Sequence, residues 1–215
     1  MARARILLAD DHSLILTGIR ALLGVEIDVV GQVEDGRALV DEALRLRPDL
    51  VILDVAMPLL NGIEAAHQIR KAWPEARLLF LTMHADPFYL REALHAGARG
   101  YLLKSSANEE LHTAIRAVLK GEIYLTEAIP WQVRDSLFTR TGELARTTRL
   151  TGLTDRQKEV LQLLAEGRGN KEMAAILGVS IKTVEFHRAQ IMRAVGVRST
   201  AELTRVAVRL GLVRL

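Results

Sequence analysis

The first half of the chain alternates short apolar runs with longer stretches of helical pattern. Apolar runs of this length are typical of strands buried on both faces of a parallel sheet. The predicted strands are 5–9, 28–33, 50–54, 77–82 and 99–103, and the predicted helices are 13–24, 36–46, 61–72, 86–96 and 107–120. Five strands alternating with five helices indicate a doubly wound α/β domain with a five-stranded parallel sheet.

Polar residues stand at the ends of four predicted strands. They are Asp10 and Asp11 after the first strand, Asp54 at the end of the third, Thr82 at the end of the fourth and Lys104 after the fifth. Because the carboxyl ends of parallel strands meet at one edge of a sheet, we expect these side chains to converge. Ligands of doubly wound sheets bind at that edge, so the sequence predicts a functional site there.

The residue types at this edge suit the chemistry of phosphoryl transfer. Three carboxylates offer the hard oxygen ligands that Mg²⁺ prefers and leave room for water and phosphate oxygens. An aspartate can act as the nucleophile that accepts a phosphoryl group, and a metal and a nearby ammonium stabilise the transferring charge. Lys104 can supply the ammonium, and the Thr82 hydroxyl can bind a further phosphoryl oxygen.

Composition excludes several other classes of protein. The chain has no cysteine, which rules out disulfides, thiolate catalysis and cysteine-ligated metals. No apolar stretch approaches the roughly 20 residues that a membrane-spanning helix needs. The N-terminus runs directly into a predicted strand that is too short for a signal-peptide core, so we expect a cytoplasmic protein.

Charge divides the chain into two unlike parts. Residues 147–215 carry 12 Lys and Arg against 6 Asp and Glu, whereas residues 1–146 carry 17 against 20. Basic charge concentrated at one end suggests a module that binds a polyanion such as DNA, although a basic surface alone is an alternative.

The predicted organisation is an α/β domain over 1–121, a linker over 122–152 and a smaller all-α domain over 153–215. Within the linker, 139–148 is polar and lacks a hydrophobic pattern, and 131–138 can form a helix. Four helices are predicted in the last segment, and their expected N-caps are Thr154, Asn170, Ser180 and Ser199. The second and third, joined at Gly178-Val179-Ser180, predict a helix-turn-helix unit whose longer helix spans 180–195.

The motifs together resemble those of a known protein family. The α/β domain carries four motifs: Asp10-Asp11, Leu53-Asp54-Val55-Ala56-Met57-Pro58, Leu81-Thr82-Met83-His84 and Gly100-Tyr101-Leu102-Leu103-Lys104. They resemble those of the receiver domain of bacterial two-component response regulators, which has a flavodoxin-like fold. The helical domain carries three more, Leu153-Thr154-Asp155-Arg156-Gln157, Asn170-Lys171-Glu172 and Lys182-Thr183-Val184-Glu185-Phe186-His187-Arg188, and these resemble the LuxR-type helix-turn-helix. The combination is that of the NarL/FixJ subfamily.

The resemblance implies a phosphorylation-controlled, DNA-binding transcriptional regulator. Asp54 would accept a phosphoryl group from a sensor histidine kinase. Asp11, the Asp54 carboxylate and the carbonyl of Ala56 would bind Mg²⁺, and Asp10 would act partly through water. Lys104 would contact the phosphoryl group, and the protein would not be a turnover enzyme apart from its own phosphorylation and dephosphorylation.

The same resemblance implies a switch and a change of assembly. Thr82 and Tyr101 match the family's switch pair, in which the hydroxyl moves toward the phosphate and the aromatic ring reorients. An aromatic side chain that only packs in the core is the alternative interpretation of Tyr101. Phosphorylation would favour a homodimer on promoter DNA.

The second helix of a helix-turn-helix enters the major groove. The expected phosphate contacts are Lys171, Lys182, Thr183, Arg188 and Arg193, while Glu185, Phe186 and Ala189 lie on the face that meets base edges. A carboxylate near DNA is favourable where it accepts a hydrogen bond from cytosine N4. For Glu185 the alternative is an ion pair within its own helix, with Lys182 or Arg188. The last helix either completes the small core or forms a dimer seam.

Two other functions compete with this interpretation. Phosphohydrolases of the haloacid dehalogenase type also use a nucleophilic aspartate, but they need a second acid two residues beyond it. Ala56 stands there and cannot transfer a proton, which argues against that class. The other competitor is a transcription factor whose receiver no longer needs phosphate, and the intact polar set argues against it without excluding it.

Overall fold

The computed structural model describes residues 3–130, 133–134 and 152–213. The chain forms two compact units, an α/β unit and a helical unit. The predicted linker core, 139–148, lies outside the described residues, as does the predicted helix 131–138 apart from residues 133 and 134.

The α/β unit alternates strands and helices as the sequence predicts, and each boundary of the predicted elements agrees within one residue. Its strands are β1 (Ala4–Ala9), β2 (Ile27–Val33), β3 (Leu50–Leu53), β4 (Leu78–Thr82), β5 (Gly100–Leu103) and β6 (Tyr124–Leu125). Its helices are α1 (Ser13–Leu23), α2 (Gly36–Leu46), α3 (Gly62–Ala72), α4 (Pro87–His95) and α5 (Ala107–Leu119), and 3-10 turns cover Gly24–Glu26 and Lys104–Ser106.

The strands form one parallel sheet in the order β2-β1-β3-β4-β5-β6. The strand order reverses between β1 and β3, which is the switch point where ligands of such sheets bind. The prediction of five strands was wrong by one. Residues 124–125, in the predicted linker, pair with Gly100 and Tyr101. A strand of two residues carries no hydrophobic alternation, so the sequence gives no sign of it.

Aliphatic side chains fill the space on both faces of the sheet. On one face Ile6 and Leu8 of β1 join a buried cluster with Leu16 of α1 and Leu111 of α5. On the other face the side chains of Leu7 and of Leu46 in α2 both lie close to Gly31 of β2, 3.0 and 3.2 Å from where a Cβ would stand. Burial on both faces explains why the central strands are continuously apolar.

The helical unit contains α6 (Asp155–Ala165), α7 (Asn170–Leu177), α8 (Ile181–Val195) and α9 (Thr200–Arg209). Thr154, Ser180 and Ser199 cap α6, α8 and α9 as predicted, each accepting a hydrogen bond from a backbone N–H of the first turn. The predicted cap at Asn170 was wrong. Gly169 occupies the cap position, and its N–H donates to Glu172. The Asn170 side chain is used elsewhere, in a contact with α8.

The helices of this unit enclose a second small aliphatic core. Val184 and Ile191 of α8 are buried against Leu161 of α6 and Leu203 of α9. Leu203 and its neighbours on α9 therefore complete the core, one of the two roles predicted for this helix. Among the described residues, no helix combines the length and apolar character needed to cross a bilayer.

Candidate functional site

Two aspartates lie side by side at the switch point of the sheet. Asp10 follows β1 and Asp54 follows β3, and each is only 1% exposed. The Asp10 N–H donates to the Val33 carbonyl at 3.1 Å, and the Asp54 N–H donates to the Ala9 carbonyl at 2.9 Å. Because these backbone bonds continue the ladders of the sheet, both carboxylates are fixed by the rigid part of the fold.

Lys104 brings the two carboxylates together. Its Nζ lies 2.6 Å from Asp10 Oδ2 and 2.7 Å from Asp54 Oδ2. Burial disfavours the ammonium, but the hydrogen bonds and charges of the two aspartates outweigh burial, so the pKa of Lys104 is raised. A charged ammonium thus sits against both carboxylates, where it can also meet an incoming anionic group.

The other carboxylate oxygens have partners from the loops. The Val55 N–H donates to Asp54 Oδ1 at 2.6 Å, and the His12 N–H donates to Asp10 Oδ1 at 3.0 Å. The imidazole Nδ1 of His12 lies 2.8 Å from Asp11 Oδ1 and 3.3 Å from Asp10 Oδ1. His12 was missing from the predicted site, although its place directly after the two aspartates was a visible signal.

The donor set of this edge fits a divalent cation. Ligand atoms of Asp10, Asp11 and His12 all lie within 4.8 Å of one another. Asp54 adds a carboxylate, and Ala56 stands half-buried in the loop that follows. Two buried carboxylates against one ammonium leave excess negative charge, and carboxylate and carbonyl oxygens are the ligands that Mg²⁺ selects.

Thr82 and Tyr101 lie on the neighbouring strands and are connected by the backbone of His84. Both side chains are fully buried. The His84 N–H lies 3.4 Å from Thr82 Oγ1, and the Tyr101 hydroxyl donates to the His84 carbonyl at 2.8 Å. Burial, with a contribution from the charge of Asp54, raises the pKa of Tyr101, so the hydroxyl remains a donor. If the Thr82 hydroxyl moves, the backbone of His84 can therefore pass the movement on to Tyr101.

The first turn of α3 presses directly against the backbone of Asp54. A Cβ on Gly62 would lie 1.9 Å from the Asp54 carbonyl oxygen and 3.3 Å from the Phe80 ring. The Gly62 N–H donates to the Val55 carbonyl at 2.8 Å. Only a glycine allows this approach, so Gly62 helps to set where Asp54 lies.

The helical unit presents an exposed, mainly polar face on α8. Five of its exposed side chains share one face of this helix at intervals of three and four residues, and they are Lys182, Glu185, Phe186, Ala189 and Arg193. Lys171 is exposed on α7. Six of the eight residues predicted to contact DNA are therefore exposed.

Two residues of the predicted DNA-contacting set form hydrogen bonds inside the helical unit. Thr183 is half-buried at the start of α8, where its N–H donates to Ser180 Oγ at 3.1 Å. The Arg188 guanidinium donates to Asn170 Oδ1 and to Thr200 Oγ1. Glu185 has Asn170 as its hydrogen-bond partner, and not Lys182 or Arg188, the partners of the alternative interpretation.

Comparison with known families matches both parts of the chain. Residues 6–116 match the response regulator receiver domain, and residues 151–207 match the luxR family of bacterial regulatory proteins. The first match contains the acidic edge of the sheet, and the second contains α6 to α8 and most of α9.

Individual proteins are similar over nearly the full length. The oxygen regulatory protein NreC of Staphylococcus carnosus is 35% identical, covering 95% of this chain and 97% of NreC. A structure of the Salmonella typhimurium response regulator RcsB is 28% identical, with a TM-score of 0.57 and coverage of 97% of this chain and 100% of RcsB. A structure of an RcsB–DNA complex is also 28% identical, with a TM-score of 0.58 and coverage of 96% and 98%.

Proposed function

Because the chain belongs to the two-component response regulators that join a receiver domain to a LuxR-type DNA-binding domain, we propose that phosphorylation of Asp54 controls its binding to promoter DNA. The donor is a sensor histidine kinase, and the protein acts in the cytoplasm. The receiver domain occupies 1–121 and the DNA-binding domain 153–215, with residues 124–125 adding a strand to the first.

The observation that carries this proposal is the bridge that Lys104 makes between Asp10 and Asp54. An ammonium within 2.7 Å of a buried carboxylate is placed to bind an oxygen of the phosphoryl group that this carboxylate receives. In the transfer, a bond forms between an Asp54 oxygen and phosphorus as the bond from phosphorus to the donor nitrogen breaks. The two aspartates raise the pKa of Lys104, so an ammonium faces Asp54 before the transfer.

Mg²⁺ is the metal that this edge would hold. Asp11, the Asp54 carboxylate and the Ala56 carbonyl are its proposed ligands, and Asp10 contributes partly through water. When bound, the cation would offset charge on the phosphoryl oxygens. His12 holds Asp11 and Asp10 in place through its ring and backbone nitrogens.

The site is suited to accept a phosphoryl group and does not carry the acid of one class of phosphohydrolase. Ala56 stands two residues beyond Asp54, where a hydrolase of the haloacid dehalogenase type needs an acid. The protein is therefore a phosphoacceptor that undergoes its own phosphorylation and dephosphorylation. Thr82 and Tyr101 report the phosphoryl group to the rest of the receiver, with the His84 backbone as their common partner.

The DNA contacts are assigned to the exposed face of α8 and its surroundings. Phosphates are contacted by Lys171, Lys182, Thr183, Arg188 and Arg193, whereas Glu185, Phe186 and Ala189 meet base edges. Arg188 has five N–H donors, so its bonds to Asn170 and Thr200 leave others for a phosphate. The similar protein RcsB has been solved as dimers on DNA, which supports a homodimer here.

Labelling with a small phosphodonor tests the acceptor directly. Wild-type protein incubated with acetyl phosphate and Mg²⁺ should gain one phosphate by intact mass, and Asp54→Ala should gain none, because the nucleophilic carboxylate is gone. Asp41→Ala is the matched control, since Asp41 is an exposed aspartate of α2, and it should be labelled like wild type. Labelling that persists in Asp54→Ala would refute the assignment.

A further inference from the structure

Asn170 stands between a cation and an anion of α8. Its Oδ1 accepts a hydrogen bond from Arg188 Nη1, and its Nδ2 lies 3.4 Å from Glu185 Oε1. Arg188 Nη2 lies 3.2 Å from Thr200 Oγ1 at the start of α9. The four side chains thus form one chain of polar contacts across α7, α8 and α9, and it ends on the exposed carboxylate of Glu185.

The amide of Asn170 has only one orientation that satisfies both neighbours. A guanidinium can only donate hydrogen bonds, so the amide oxygen must face Arg188. A carboxylate can only accept, so the amide nitrogen must face Glu185. Both requirements select the same orientation, and Arg188 thereby fixes the donor that Asn170 offers to Glu185.

We propose that Asn170 is a positioning residue for sequence discrimination by Glu185. This inference rests on the proposed DNA-binding function of α8. One oxygen of the Glu185 carboxylate is held by Asn170, and the other is left for the N4 amino group of a cytosine in the major groove. A flexible glutamate would accept from water as readily as from a base, whereas a held one favours cytosine at a single position of the duplex.

The surroundings of Glu185 make the carboxylate selective. It shares the exposed face of α8 with the cations Lys182 and Arg193, which attract any duplex through its phosphates. Opposite a base edge that offers only acceptors, the carboxylate oxygen that Asn170 does not hold meets no donor on the base and is desolvated without compensation. Glu185 therefore contributes through the bases it rejects, and that contribution needs the fixed geometry that Asn170 and Arg188 supply.

The test measures relative affinity for duplexes that differ at one base pair. The full chain, incubated with acetyl phosphate and Mg²⁺, first selects duplexes from a random pool, and each position of the selected site is then changed to all four bases. We expect Glu185→Ala to reduce the preference for cytosine at one position by roughly fivefold or more. Asn170→Asp should reduce the preference at the same position, because it keeps an acceptor for Arg188 but opposes Glu185 with a second carboxylate. The double variant should lose no more than Glu185→Ala alone.

Relative affinities separate this role from general effects on the fold or on charge. The added charge of Asn170→Asp lowers the affinity for all duplexes alike and so leaves their relative affinities unchanged. Asn170→Ser removes the amide without adding charge, and it should reduce the preference at the same base position. Gln190→Ala is the control, since it breaks a contact of 3.0 Å between α6 and α8 that does not involve Glu185, and it should keep the wild-type preference.

The outcomes distinguish the inference from the function on which it rests. If wild-type protein shows no preference among duplexes, the proposed function is wrong. If wild-type protein has a preference that Glu185→Ala reduces while Asn170→Asp and Asn170→Ser leave it intact, the positioning role of Asn170 is overturned. An unchanged preference in Glu185→Ala overturns the inference at its first step.

Discussion

Gly62 is the residue whose identity most directly constrains the position of Asp54. A methyl group there would occupy space held by the Asp54 carbonyl oxygen, 1.9 Å from the new carbon. Since the obstacle is backbone, it cannot rotate away as the end of a side chain can. Either α3 or the phosphoacceptor loop must move, and a loop that moves carries the Asp54 carboxylate away from Lys104.

Gly62→Ala should therefore damage both stability and phosphorylation. We expect a loss of about 1–3 kcal/mol in the free energy of unfolding, the usual range for overpacking, and slower labelling by acetyl phosphate. Chemical denaturation and intact mass measure the two effects. Gly18→Ala is the matched control, because an added Cβ on this exposed residue of α1 meets no atom within 4 Å. It should be neutral or slightly stabilising, and equal behaviour of the two variants would contradict the steric argument.

A single carboxylate of α5 binds three groups of the sixth strand and the residues after it, in addition to the backbone pairing of that strand with β5. Glu110 accepts hydrogen bonds from the Tyr124 hydroxyl at 2.8 Å, from Thr126 Oγ1 at 2.9 Å and from the Glu127 N–H at 3.2 Å. Burial raises the pKa of Glu110, but these hydrogen bonds outweigh burial and leave the pKa below its usual value. A lowered folded-state pKa stabilises the fold above the unfolded pKa, and that stabilisation is lost as the pH falls through the folded value.

Protection of the β6 amides should follow the charge of Glu110. The N–H groups of Tyr124 and Thr126 donate to the carbonyls of Arg99 and Tyr101, so their hydrogen exchange reports whether the strand is in place. We expect wild-type protection factors to fall as the pH is lowered below about 4.3, the ordinary glutamate value. Glu110→Gln should have weaker protection at neutral pH and a smaller pH dependence. Glu109→Gln, at an exposed neighbour, should behave like wild type, and equal pH profiles for all three proteins would contradict the role of Glu110.

The elements that the sequence predicts well are those whose pattern repeats over several residues. Apolar runs ending at Asp54 and Thr82 define β3 and β4, and short polar caps define the starts of α6, α8 and α9. The two-residue β6 is too short for such a pattern. Contacts of Glu110 with residues 14 to 17 positions away help to hold it in place, and a local pattern does not encode them. Asn170 is of a residue type that favours the helix N-cap, but its side chain forms hydrogen bonds with Glu185 and Arg188 on α8.

The same distinction holds within the candidate site. The places of Asp10, Asp54 and Lys104 follow from strand ends, because topology alone brings those ends together. The roles of His12 and of the His84 backbone depend on loop conformation, which no periodicity encodes. The contact between Gly62 and the Asp54 carbonyl likewise depends on how closely α3 approaches the loop after β3.

The molecule combines an acidic part that carries the phosphoacceptor with a basic part that carries the helix-turn-helix. Residues 147–215 have twice as many Lys and Arg as Asp and Glu, 12 against 6. DNA affinity should fall steeply as salt rises, because the release of counterions from DNA becomes less favourable. Phosphorylation occurs in the other unit, and it can control DNA binding only if the two events are coupled in free energy. That coupling is what separates a phosphorylation-controlled regulator from a transcription factor whose receiver no longer needs phosphate.

The most direct measurement is the affinity of the full chain for a selected duplex, at fixed salt, with and without acetyl phosphate and Mg²⁺. Couplings between sites are commonly 5- to 150-fold, and we expect wild-type protein to bind about tenfold more tightly after phosphorylation. Asp54→Ala should show the same affinity under both conditions, and Asp41→Ala should respond like wild type. Wild-type affinity that does not change on phosphorylation, or an equal response in Asp54→Ala, would contradict control through Asp54.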